Sequence, residues 1–135
     1  MSLNMPDHSE YVVFAEQLAN YSRAMLLIAS KKAPKITIKD DSSYVTETDK
    51  AVEQKLREEI QNKFPDHGII GEEFKDVNRN SDFVWILDPI DGTAAFVAGI
   101  PVYGTLIALA WKGMPFIGVI DHPLTCLLYT SDAAD

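Results

Sequence analysis

Only one cysteine, Cys126, occurs in the chain, so neither a disulfide framework nor a cysteine-based zinc site can be built from it. Basic residues are also few: 12 Lys and Arg stand against 20 Asp and Glu, a formal charge of −8. A nucleic-acid surface needs clustered cations to meet phosphates, and the densest basic stretch, residues 31–35 (KKAPK), reads as a solvated helix C-terminus instead. Long apolar runs are missing too. The longest, residues 100–111, contains Pro101 and Gly104 and is too short to span a bilayer. The opening ten residues, MSLNMPDHSE, lack the basic region of a signal peptide. With no repeats, low-complexity segments or clear linker, 135 residues that are 47% hydrophobic and 24% charged fit one globular domain, expected to be soluble and cytoplasmic.

What is present has clear periods. Asp7 and Glu10 stand like a capping box before an apolar stripe of Tyr11, Phe14, Ala15, Leu18, Tyr21, Met25 and Ile28, a helix that Pro34 closes. Residues 35–39 (KITIK) alternate as a strand, and the turn-rich DDSS follows. Residues 44–65 open a second helix with Thr46 or Thr48 as N-cap, a stripe of Val52, Leu56, Ile60 and Phe64, and Pro65 as its stop. Glu53 and Arg57 are spaced for a helix-face ion pair of small effect. A PDHG turn leads to a short strand in residues 69–73 (IIGEE), and FVWIL at 83–87 reads as a buried strand. Residues 93–99 fit a short helix, and residues 102–111 and 115–121 flank KGM as a hairpin. His8, His67 and His122 read as surface or structural groups, and Trp85 and Trp111 as core aromatics.

The chemistry lies in Asp88-Pro89-Ile90-Asp91-Gly92-Thr93. Pro89 disfavours helix at Asp88 and lacks an N–H, so it helps to end the strand there. Two carboxylates three residues apart across a tight turn repel each other, and a divalent cation bound by hard oxygens, including a backbone carbonyl such as that of Ile90, is the natural neutraliser. Gly92 allows close backbone approach, and the amides that follow suit a phosphate. The same stretch also fits a helix N-cap with incidental acids. Glu72 and Glu73, closing the strand IIGEE, fit solvated surface acids, and Asp49 fits a residue favoured by the dipole of a helix first turn. Three acidic termini in one negatively charged chain without zinc ligands point instead to a magnesium phosphatase. The D-x-D-G-T signature of haloacid-dehalogenase phosphatases is one residue shorter than the D-x-x-D-G-T found here, which would misplace the covalent nucleophile of that class.

GEE at 71–73 followed by WILDPIDGT at 85–93 resembles the inositol-monophosphatase superfamily of magnesium-dependent phosphatases, over roughly residues 10–124. Residues 48–74, and residues 99–123 with their Gly-Thr-Leu-Ile-Ala-Leu run and GVIDHP, look most like the histidinol-phosphatase branch. The resemblance implies an α/β (α+β) fold, a layered αβαβα sandwich of the sugar-phosphatase type, of which residues 1–124 would be the N-terminal portion. It implies that Glu72, Asp88 and the Ile90 carbonyl hold one magnesium ion, and Asp88 and Asp91 a second. It places Ile90, Asp91, Gly92 and Thr93 at the substrate phosphate, with Gly92 and Thr93 cradling it by their amides. Asp49 and Thr93 would orient and deprotonate the attacking water, supported by Glu72, with Glu73 a weaker candidate behind them. Water would then strike phosphorus in line, without a phospho-enzyme.

The implied activity is hydrolysis of L-histidinol phosphate to L-histidinol and phosphate in histidine biosynthesis, with inositol 1-phosphate or a related small sugar or nucleotide phosphate as the alternative substrate. The resemblance also implies a small-molecule substrate and a homodimer at full length, without nucleic-acid or membrane partners. Two departures from the family pattern stand out. Ala94 and Ala95 replace polar residues after Thr93. Residues 125–135 (TCLLYTSDAAD) read as a non-native tail, the translation of sequencing adapter joined to a truncated gene, which leaves out the family's later Trp-Asp motif and its metal ligand. A truncated, inactive metal- or phosphate-binding fragment is the reading of another class.

Overall fold

The fold is taken from a computed structural model, which describes residues 6–32, 36–38, 44–98, 103–123 and 127–132. Asp7 caps the first helix, α1 (His8–Ala29), by accepting the Ser9 N–H at 2.9 Å, so the cap bond runs to Ser9 rather than through a Glu10 box. The buried face of α1 is Phe14, Ala15, Leu18, Ala19, Ser22 and Leu26. This differs from the expected stripe, since Tyr21 is 41% and Ile28 60% exposed. The helix is turned so that Ser22 faces inward, where its hydroxyl meets that of Thr105 at 3.0 Å. A satisfied buried hydroxyl shifts the face away from the one that apolar residues alone indicate. Pro34 lies outside the described residues, and α1 ends before it, at Ala29.

The expected strand at 35–39 is β1 (Ile36–Ile38), paired antiparallel with β2 (Tyr44–Thr46), a strand that the sequence reading assigns to the start of the following helix. Thr46 ends β2 and caps α2 (Glu47–Lys63), with Asp49 closing a capping box. Val52, Leu56 and Ile60 of α2 are fully buried.

Five strands then form one sheet in sequence order: β3 (Gly68–Gly71), β4 (Phe83–Asp91), β5 (Gly104–Trp111), β6 (Met114–His122) and β7 (Leu127–Asp132). β3 and β4 are parallel, and the other pairs are antiparallel. Lys112 and Gly113, both at positive φ (49° and 77°), make the tight hairpin between β5 and β6. The expected boundary at residue 124 falls just after β6, and residues 127–132 continue the sheet in register with it. The short helix α3 (Thr93–Ala98) links β4 to β5. Among the described residues no helix is long and apolar enough to cross a membrane.

The core joins α1 and α2 to one face of the sheet: Leu18, Leu26, Leu56 and Ile60 pack with Trp85, Leu87, Ile107, Leu109, Phe116 and Val119. Ile86 of β4 and Ile120 of β6, both 41% exposed, lie outside this core. Contrary to expectation, β4 does not end at Asp88. It resumes pairing at Asp91 with Gly104 after a register shift, so Pro89 and Ile90 form a bulge. A proline at a bulge removes no ladder bond, and the Thr105 hydroxyl donates to the Pro89 carbonyl at 2.9 Å.

His67 is a structural group, as expected. It stacks on Phe64 (ring centroids 4.4 Å apart) and Phe83 (4.8 Å), and its Nδ1 accepts the Trp85 indole N–H at 3.0 Å. An acceptor at Nδ1 cannot carry a proton, and burial lowers the His67 pKa below its ordinary value, partly offset by Asp66 and Glu10. The unfolded chain therefore protonates this group first, and stability is lost as pH falls through the ordinary histidine pKa of about 6.5. Denaturant midpoints should fall between about pH 8 and about pH 5.5, and less steeply for His67→Gln. Equal slopes in the two proteins would contradict this role.

Candidate active site

Parallel pairing of β3 with β4 directs their carboxyl ends to the same end of the sheet. Gly71 pairs with Leu87, so Glu72, the first residue past β3, follows at the level of Asp88, which is still within β4 and paired with Leu106. The bulge at Pro89–Ile90 then returns the chain so that Asp91 pairs with Gly104. Gly92 follows at φ 87°, a left-handed conformation that favours glycine and turns the strand into α3.

The N-terminus of α2 arrives at the same place. Asp49 is 3% exposed, and its Oδ2 accepts both the backbone N–H (2.8 Å) and the hydroxyl (2.6 Å) of Thr46. The other oxygen, Oδ1, lies 3.3 Å from the Thr93 hydroxyl, which is also 3.0 Å from the Ile90 carbonyl. One hydroxyl proton serves those two acceptors in turn. Asp49, Ile90 and Thr93 are thus assembled by direct contact, with Thr46 fixing the orientation of Asp49.

Glu72 and Asp91 are exposed, while Asp88 is half-buried. Burial first, and then the carboxylates of Glu72, Asp91, Asp49 and Glu73, push the Asp88 pKa up to about 6. Four acids thus act on a fifth in one field. Among the described residues, however, no group of three His, Cys, Asp or Glu side chains is arranged to hold a metal ion as placed. The chemistry of the donors fits a hard divalent cation: carboxylates and a carbonyl, with a partly desolvated acid at their centre.

The expected ion pair of Glu53 and Arg57 forms, with Arg57 Nε 2.9 Å from Glu53 Oε2, but it does more than brace a helix face. The two stand on α2 facing the loop after β3, with Glu53 fully buried and Arg57 8% exposed. Their position one residue after Val52 and Leu56, at the border of the apolar stripe, was the available signal.

The sequence model of the inositol monophosphatase family matches residues 7–134. The bifunctional phosphatase IMPL2 of Arabidopsis thaliana is 40% identical over 116 residues, covering 84% of this chain and 34% of that protein. The histidinol-phosphatase of Chlorobaculum parvum is 40% identical over 102 residues, covering 76% of this chain and 39% of that one. Among solved structures, the extragenic suppressor protein SuhB of Bartonella henselae superposes with a TM-score of 0.89 at 27% identity, covering 94% of this chain and 50% of that one. The expected mixed α/β architecture is the one shared with that structure. The chain therefore spans between about a third and a half of the length of these relatives.

Thr46 supplies both the α2 cap and two bonds to Asp49. Thr46→Val should therefore cost about 1–2 kcal/mol in urea unfolding, while Thr46→Ser stays within a few tenths of the parent. A Thr46→Val protein as stable as the parent would show that the cap does not hold this end of α2.

Proposed function

The chain belongs to the inositol monophosphatase family, and we propose that it forms the N-terminal part of a magnesium-dependent phosphate monoesterase whose substrate is histidinol phosphate. The observation that carries the reading is the Thr93 hydroxyl set between Asp49 Oδ1 (3.3 Å) and the Ile90 carbonyl (3.0 Å), beside an Asp88 whose carboxyl is pushed up by burial and by the charges of Glu72, Asp91, Asp49 and Glu73. So much negative charge at one strand end repels an anionic phosphate ester unless a cation balances it. Glu72, Asp88, Asp91 and the Ile90 carbonyl would hold that cation. When bound, magnesium supplies neutralisation of the charge on the transferring phosphoryl group.

This chain's own residues do the remaining work. The amides of Gly92 and Thr93 would bind the phosphate oxygens, Gly92 presenting its backbone without a side chain in the way. Asp49, locked by Thr46, would orient the Thr93 hydroxyl toward the attacking water. As that water adds to phosphorus in line, its proton would pass to Thr93 Oγ1 while Thr93 yields its own to Asp49 Oδ1, 3.3 Å away; the P–O bond to the alcohol would break on the opposite side, the departing alkoxide taking a proton from solvent. Glu72 would take part as a second acceptor. The similarity to a histidinol-phosphatase, at 40% identity, supports the choice of substrate.

The test is phosphate release by the protein expressed from the complete gene, with histidinol phosphate and with inositol 1-phosphate, before and after removal of divalent ions by chelation. Chelation should abolish turnover and added magnesium should restore it. Asp88→Asn and Asp91→Asn should each lower kcat/KM by more than about a hundredfold, beyond the loss usual for residues behind the ligands. Turnover of inositol 1-phosphate alone would move the substrate to the sister branch. Turnover that survives chelation would overturn the metal-dependent reading.

A further inference from the structure

β3 ends at Gly71, and the loop that follows carries Glu72 without strand or helix to hold it. Its backbone groups go to one place. The Glu73 N–H donates to Glu53 Oε1 at 3.0 Å and the Phe74 N–H to Glu53 Oε2 at 3.1 Å. The carbonyls of Phe74 and Lys75 accept from Arg57 Nη2 (3.0 Å) and Nη1 (2.7 Å). Arg57 Nε closes the set on Glu53 Oε2 at 2.9 Å. One carboxylate and one guanidinium, four residues apart on α2, thus take two amides and two carbonyls from three successive residues.

The fit is close. A Cβ on Gly71 would stand 2.6 Å from the Glu53 carboxyl carbon, so glycine is required for the carboxylate to come this near. Arg57 also lies over the Phe74 ring, 5.7 Å from its centroid. Both Glu53 oxygens are engaged by three donors, so Glu53 is not free to ligate a metal itself. A buried ion pair is a poor source of stability, because desolvation of the two charges offsets much of their attraction. Its geometric effect is plain: it fixes the peptide that bears Glu72.

We propose that Glu53, braced by Arg57, is a positioning residue that holds the Glu72 loop against α2 and so sets the carboxylate of Glu72 at the divalent-cation site. The inference rests on the reading of Glu72 as a metal ligand. Residues that orient a ligand from behind typically govern metal affinity by about 10–100-fold. A support of this kind acts on the metal, and through the metal on turnover, while leaving direct substrate contacts alone.

Glu53→Gln tests it in the protein expressed from the complete gene. The amide nitrogen would face the donors of Arg57 or the loop, so one amide bond to the loop is lost with little change of shape. Calorimetric titration with magnesium should show affinity reduced by about 10–100-fold, and the activation curve should shift equally. KM for the substrate at saturating magnesium should stay within about twofold of the parent. Hydrogen exchange at the amides of Glu73 and Phe74 should accelerate while the amides of β4 keep their protection. Should Glu53→Gln fail to fold, the double variant Glu53→Leu with Arg57→Leu removes both charges together and avoids an unpaired buried ion. It should fold and show the same loss of magnesium affinity. Magnesium affinity within about threefold of the parent in a folded variant would overturn the proposal and leave the phosphatase reading intact. A parent protein that binds no magnesium would overturn both.

Discussion

The carboxylates of Asp49, Glu72, Glu73 and Asp91 all bear electrostatically on the half-buried Asp88, near the carboxyl end of β4, and like charges do not stay together unaided. Much of the structure around them acts to hold them there. Parallel pairing of β3 and β4 sets Glu72 level with Asp88, the bulge at Pro89–Ile90 returns Asp91 to the sheet, and the Thr46 cap points Asp49 toward Thr93. The cost shows at Asp88, whose carboxyl is pushed up to about 6. On the proposed reading a cation balances that charge and so lets an anionic phosphate ester approach.

The supports come from opposite directions and use different chemistry. Behind the bulge, the hydroxyls of Ser22 and Thr105 form a buried link from α1 to the Pro89 carbonyl. Arg23 pairs with the buried Asp121 and ties α1 to β6 as well. On the other flank, the ion pair of Glu53 and Arg57 fastens the loop after β3 to α2. Neutral hydroxyls bear on the segment that holds Asp88 and Asp91, where another negative charge would enlarge the repulsion. A self-neutralising pair bears on the segment that holds Glu72. Either arrangement adds direction without adding net charge to the site.

Much of this was legible in the sequence and some of it was not. The pattern of Val52, Leu56 and Ile60 located α2, and the apolar run into Asp88 located β4, because burial of one face imposes a period. The acidic strand ends and the Gly-Thr pair marked the site itself. The strand continuing through Pro89 was not legible, since a bulge depends on the pairing partner, here Gly104, far along the chain. The turned face of α1 escaped for a similar reason: Ser22 is buried only because Thr105 meets it across 83 residues. The pairing of Glu53 with Arg57 was legible from their spacing, and their place at the border of the apolar stripe hinted at burial, but the backbone amides and carbonyls of the loop that they bind leave no mark in a side-chain pattern.

The central claim is that these acids gather to bind a divalent cation. Anomalous diffraction from crystals of the complete protein grown with manganese, a scatterer that takes the same hard-oxygen ligands as magnesium, tests it most directly. The account predicts an anomalous peak touching the carboxylates of Glu72, Asp88 and Asp91 and the Ile90 carbonyl. A peak bound elsewhere, or none at this strand edge under saturating manganese, would contradict it.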